Sequence, residues 1–191
     1  MEQRKRATFI NALSGAKPAF LLGTVSAGGN TNCAIFNSVL HIGANPPLMG
    51  FILRPATVER HSYDNIRETG CFTLNHVPAS LYQQAHQTSA KYPRTMSEFA
   101  QCGLNELYTD GFAAPFVGQS PLQIGLRFVE EHTLPVNATI LIIGEVEHVF
   151  STIPPDQSGH IRFDETANVA SVDSYYTQSF LETLPYARFT E

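Results

Sequence analysis

"FNSVLHIGANPPLMGFILRPATVERH", residues 36–61, places a polar Asn37-Ser38 pair between two apolar runs. The chain then breaks at Asn45-Pro46-Pro47, resumes over residues 48–53 and stops at Pro55. Proline cannot donate to a ladder, so these breaks read as strand ends, and the short apolar runs between them read as strands. The polar pair is unexpected there, because strands that build a core seldom carry adjacent polar side chains without a partner for them.

Upstream, residues 20–26 and 33–42 read as two antiparallel strands joined across Ala27-Gly28-Gly29-Asn30, a turn whose positive backbone angles Gly and Asn accept cheaply. Downstream, Thr57 has the position of a helix N-cap and Glu59 falls in the first turn. Gly70 can end that helix in the left-handed conformation, which predicts a helix over 58–69. Residues 71–77 return as a strand. A second helix is expected after Pro78, through about His86, and Thr95 with Glu98 forms a capping box for a short helix ending at Gly103.

A proline-punctuated loop around Ala114-Pro115 leads to two β-branched, apolar strands over 124–131 and 138–150. The pattern is mainly β with peripheral helices, and antiparallel strands in this number favour a closed or nearly closed barrel. A doubly wound nucleotide fold would need alternating strands and helices with a G-x-G-x-x-G turn, and the sequence contains neither.

The 191 residues are 43% hydrophobic, enough for one sizeable core, so a single domain over 1–191 is expected. Twelve Lys and Arg against 17 Asp and Glu give a formal charge of -5, without the broad basic footprint of a nucleic-acid binder. No apolar run approaches the roughly 20 residues that cross a bilayer, and residues 1–6 are polar, so no membrane association and a cytoplasmic location are expected. Cys33, Cys71 and Cys102 are odd in number and widely spaced, which fits buried thiols better than a disulfide framework or a metal site. The seven scattered histidines likewise suggest no metal. Asn137-Ala138-Thr139 matches a glycosylation sequon, which without a signal peptide reads as a chance match inside a strand.

No nucleophile elbow, Walker loop, zinc-protease helix or calcium loop occurs, so no side-chain or metal machinery for hydrolysis is visible. An anion site is easier to argue. Arg54 ends a strand and Thr57 precedes the expected helix, which brings a cation, a hydroxyl and unpaired helix N–H groups together. Arg54 in a surface ion pair and Thr57 as a simple cap is the alternative. "HQTSAKYPR", residues 86–94, offers Thr88, Ser89, Lys91, Tyr92 and Arg94 as further phosphate contacts, or as a solvated loop.

"NCAIFNSVLHIGANPPLMGFILRPATVERHSYDNIRETGCFTLNHV" followed by "AHQTSAKYPRTMSEFAQCGL" resembles the flavin reductase-like family of FMN-binding split-barrel proteins. The similarity continues through "SPLQIGLRFVEEH", "ATILIIGEVEHVF" and "SVDSYY", nearly the whole chain. The resemblance implies a six-stranded antiparallel Greek-key split β-barrel that forms a homodimer, with FMN near the interface. It also implies that Asn37 and Ser38 hydrogen-bond the polar edge of the isoalloxazine, with Val39 and Ile35 packed around it. A buried polar pair would then be satisfied by a ligand.

By the same resemblance Arg54, Thr57, Ser89 and Lys91 would bind the FMN phosphate. Asp173, Ser174 and Tyr175 resemble a late segment that closes over flavin, although Tyr175 is equally a candidate for barrel or dimer packing. Many relatives carry Gly-Asp-His near the nicotinamide site; here Ser158-Gly159-His160 lacks the Asp, so His160 reads either as a nicotinamide contact or as a loop histidine. His61 could reach the phosphate or the ring or lie on a helix surface, and His41 could face the cleft or sit in the core.

The activity implied is NAD(P)H-dependent flavin reduction, with NADH or NADPH as donor and flavin N5 rather than a catalytic side chain receiving hydride. Electrons would then pass to an acceptor, a protein among the options. A flavoredoxin-like FMN electron carrier with little nicotinamide turnover is the alternative, and a phosphorylated-vitamin B6 oxidase on the related barrel is a third reading.

Overall fold

The computed structural model describes residues 2–55, 60–157, 159–163, 165–171, 173–177, 180–185 and 187–188, with the backbone alone for 180–183. The chain opens with helix α1 (Gln3–Ala12) and strands β1 (Lys17–Pro18), β2 (Phe20–Val25), β3 (Thr31–Phe36), β4 (Val39–Ala44) and β5 (Pro47–Leu53). Helix α2 (His61–Thr69), β6 (Cys71–His76), a 3₁₀ turn, α3 (Tyr82–Gln87) and α4 (Glu98–Gln101) follow. The second half is strand-rich: β7 (Glu106–Thr109), β8 (Phe112–Val117), β9 (Leu122–Thr133), β10 (Ile140–Ser151), β11 (Asn168–Val169), β12 (Ser174–Thr177) and β13 (Phe180–Thr183).

Seven strands form the main antiparallel sheet in the order β3-β2-β6-β9-β10-β5-β4. It curls into a split barrel without closing. One strand more than expected is present because the predicted run 33–42 is two strands. β3 pairs with β2, whereas β4 pairs with β5 at the opposite end of the sheet. The link between them is Asn37-Ser38. Ser38 fastens the crossing to β5: its carbonyl accepts the Ile52 N–H at 3.2 Å and its hydroxyl donates to the Ile52 carbonyl at 2.9 Å. Two residues therefore span the seam between the sheet's edges.

Alternation along β2 feeds two cores, which is why every residue of that strand is buried. Phe20 and Leu22 join Phe51, Phe72, Leu126 and Ile142 inside the barrel. Leu21 points the other way, into a cluster with Cys33, Val77, Phe99 and Tyr175 beneath the helices and the small sheet β1-β11-β12-β13.

The three cysteines are free and buried. Gly70 ends α2 at φ 71°, as its sequence position implies, and its N–H bonds the Ile66 carbonyl. The described helix starts at His61; Thr57 and the predicted first turn lie outside the described residues.

Three local expectations are corrected. The Ala114-Pro115 region is strand β8, paired with β7 around Gly111 at φ 77°, rather than a loop. Pro115 is tolerated because β8 has only one ladder partner. The short helix α4 begins after Ser97, with no side-chain cap, and Glu98 turns inward to accept the Cys33 N–H at 3.0 Å instead of closing a box with Thr95. The sequon lies in the turn between β9 and β10, where Asn137 Oδ1 accepts the Thr139 N–H and hydroxyl, and β10 starts at Ile140.

Candidate functional site

A cleft of about 610 Å³ opens along the seam, bounded by the end of β3, the Asn37-Ser38 crossing and the end of β5. α1, α2, the α3–α4 segment and β11–β12 complete its walls. This volume lies within the roughly 300–1,000 Å³ usual for cofactor and small-molecule sites. Ala34, Ile35, Phe36, Ile52, Leu53 and Val169 give it an apolar lining.

Polar groups enter from separate segments. Arg54 follows β5, Arg60 precedes α2, and Lys91 comes from the loop after α3. Neither Arg54 nor Lys91 forms an ion pair with a described carboxylate. Arg60 donates from Nη2 to the Pro55 carbonyl at 3.3 Å, but its buried Nε has no hydrogen-bond partner among the described residues. A buried guanidinium N–H without an acceptor is costly, so an acceptor entering the cleft here would be favourable.

The opposing groups are Glu98 and Asp173. Glu98 is 5% exposed, and burial raises its carboxyl above the ordinary range against the lowering effect of the Cys33 N–H. Around it, Asn32 Nδ2 donates to Ser62 Oγ at 2.8 Å, and both residues line the cleft.

At the other wall the Tyr175 ring is 1% exposed, and its hydroxyl lies 2.8 Å from His86 Nδ1. His86 Nε2 lies 2.9 Å from the Pro185 carbonyl. A carbonyl only accepts, so Nε2 carries the proton, Nδ1 accepts, and the Tyr175 hydroxyl donates. The phenol oxygen keeps acceptor capacity.

Of the residues singled out in the sequence, Asn37, Ser38, Arg54, Ser89, Lys91 and Tyr175 line this one cleft, as do Ile35, Thr88 and Tyr92. Ser38 and Ser89 already spend their hydroxyl protons on the carbonyls of Ile52 and His86, so toward a ligand they accept. Val39 packs against the barrel core instead of lining the cleft. Thr57 lies outside the described residues. His61 and Asp173 line the cleft, but His160 is exposed beside Asp156 and His41 is exposed on β4, both away from it. Arg94 bonds Asp64, Asn65 and Glu68 on the α2 side.

Arg60, Asn11, His86 and Glu98 are cleft residues that the sequence reading left without a site role. For Arg60 the signal was present: a second arginine six residues after Arg54, at the start of a helix.

The model of the flavin reductase like domain matches residues 14–164. A split-barrel-domain protein of Shewanella frigidimarina NCIMB 400, assigned to the flavin reductases, is 46% identical; the match covers 98% of this chain and 94% of that one, at a TM-score of 0.89. Component B of nitrilotriacetate monooxygenase from Bacillus cereus shares the fold at 18% identity, covering 97% and 92%, at a TM-score of 0.79. Flavoredoxin of Desulfovibrio vulgaris (Miyazaki F) does so at 24% identity, covering 90% and 88%, at 0.63. A protein of Halalkalibacterium halodurans without an assigned function is 24% identical over 140 residues, which span 69% of this chain and 66% of the relative.

Proposed function

Because the chain belongs to the flavin reductase-like family, an oxidoreductase family of flavoproteins, we propose that the seam cleft binds FMN and that the protein is an NAD(P)H-dependent flavin reductase acting as a homodimer. When bound, the flavin would supply the redox chemistry, accepting hydride from NADH or NADPH at N5 and passing electrons to an acceptor.

The observation that carries this reading is the convergence of Arg54, Arg60 and Lys91 on one cleft, with Arg60 Nε lacking an acceptor among the described residues. A phosphate monoester carries about -1.5 to -2 at neutral pH and has three acceptor oxygens, which matches that donor set. Thr57 lies three residues from both Arg54 and Arg60 in sequence, and Ser89 two from Lys91; the Ser89 hydroxyl would have to turn from the His86 carbonyl to donate to the phosphate. Asn37 and Ser38 lie beside Ile35 and Phe36 at the crossing, where apolar walls suit a ring and the polar pair suits its heteroatom edge. Asn37 and Ser38 thus have a reason to interrupt an apolar run.

The protein's own residues would bind, orient and exclude water. Tyr175, donating to His86, would offer an oxygen to a ligand N–H or O–H. Val39 would act from behind the wall, by fixing β4 against the barrel core.

Purified protein titrated with FMN should quench flavin fluorescence to a one-per-chain endpoint. Anaerobic addition of NADH or NADPH should then bleach the flavin absorbance. Failure to bind FMN overturns the site. Binding without bleaching by either nucleotide overturns the reductase reading and leaves the electron-carrier alternative.

A further inference from the structure

α1 is ten residues long and buries none of them. Phe9, Ile10 and Leu13 are more than half exposed, so apolar packing does not hold the helix in place. Polar attachments do. Ser171 Oγ donates to the Thr8 carbonyl at 3.1 Å, and Arg4 reaches Asp173, itself a cleft residue, at 3.4 Å. At the C-terminal end, Lys17 Nζ donates to the Asn11 carbonyl, Ser14 Oγ and the Gly15 carbonyl at 3.0, 2.8 and 3.1 Å. A helix fastened this way has low local stability and opens more readily than the sheet behind it.

One side chain of α1 lines the cleft: Asn11. Its Oδ1 is buried and has no hydrogen-bond partner among the described residues. Such an acceptor is costly unless a ligand satisfies it. A carboxamide head presents an acceptor and a donor side by side, and the natural complement is another amide-type group with the same pair reversed.

We propose that Asn11 reads an amide-type N–H of the bound ligand, the flavin imide or the nicotinamide carboxamide, and thereby latches α1 over the cleft. The inference rests on the flavin reading for the ligand, and on Asn11 and α1 for the latch. Asn11 is a specificity and closure residue, not a participant in hydride transfer.

The test compares wild type with Asn11→Ala, whose fold is checked by circular dichroism. FMN affinity is measured by titration. Hydrogen–deuterium exchange of residues 3–12 is followed in free protein, with FMN, and with FMN plus NAD⁺ or NADP⁺. If the flavin imide is the partner, FMN alone slows α1 exchange in wild type, and Asn11→Ala weakens FMN about fivefold, the equivalent of about 1 kcal/mol for one neutral hydrogen bond. If the carboxamide is the partner, FMN affinity is unchanged, protection appears with the nicotinamide nucleotide, and the variant loses it. Wild type that binds FMN with no α1 protection under any condition, and with an Asn11→Ala affinity within twofold, overturns the latch and leaves the flavin reading standing. Wild type that binds no FMN overturns both.

Discussion

The Tyr175 hydroxyl donates to His86 Nδ1 across 2.8 Å, and the Pro185 carbonyl fixes the imidazole from its other side at 2.9 Å. This chain ties β12 to α3 and the C-terminal segment at the cleft wall. Burial, and then the Asp173 carboxylate, push the phenol above its ordinary value, so it remains a donor at neutral pH. Tyr175→Phe strands His86 Nδ1 without an adjacent donor. The expected loss is about 1–3 kcal/mol of stability, read by urea denaturation, with FMN affinity falling in the same variant.

The cationic side chains that line the cleft make a separate prediction. Lys91→Ala and Arg54→Ala should each weaken FMN roughly tenfold, and both effects should shrink in high salt because the two side chains are exposed. Riboflavin, which lacks the phosphate, should bind the variants and wild type alike. Equal losses for riboflavin and FMN would remove the phosphate assignment.

His76 supplies a pH dependence. It is 6% exposed, lies between Phe20 at 4.1 Å and Phe163 at 4.5 Å, and has no partner for its buried Nδ1 among the described residues. Burial lowers its pKa from 6.5 to about 4. The unfolded chain therefore takes up a proton at this site below about pH 6.5 that the folded chain refuses until about pH 4. The corresponding stability is intact above pH 6.5 and lost as pH falls to 4, roughly 3 kcal/mol in all. His76→Phe should flatten the denaturation midpoint across that window relative to wild type.

Gly144 marks a packing limit inside the barrel. It sits at an irregularity in the β9–β10 pairing, and a Cβ there would lie 2.7 Å from Phe72 Cζ and 3.0 Å from Leu126 Cβ. Gly144→Ala should cost about 1–3 kcal/mol by forcing Phe72 aside, measured as a lower midpoint of chemical denaturation.

What the sequence disclosed follows the range of the forces involved. The hairpin at Ala27–Asn30, the stop at Gly70 and the strands on either side of Asn45-Pro46 are set by local backbone preferences and were legible. The split of 33–42 was not, because nothing within Cys33–Ile42 states that Ser38 will bond Ile52 on another strand. Glu98 had the spacing of a capping residue, and only the tertiary position of the Cys33 N–H redirects it. α1 escaped notice for a related reason: with no residue buried, it lacks the apolar stripe by which helices are recognised. Asn37, Ser38, Arg54, Ser89, Lys91 and Tyr175 line the cleft although they come from distant segments, and the family resemblance carries that long-range information; Arg60 had only its spacing from Arg54 to mark it, and Asn11 needed coordinates to be placed there.

The Asn37-Ser38 crossing joins the first and last strands of a sheet whose every ladder is completed elsewhere. Severing the chain between these two residues would therefore uncouple no neighbouring strands. Apart from the two bonds of Ser38 to Ile52, the dipeptide carries none of the sheet's pairing, so a change at Asn37 would reshape the rim of the cleft while the ladders on either side stay joined.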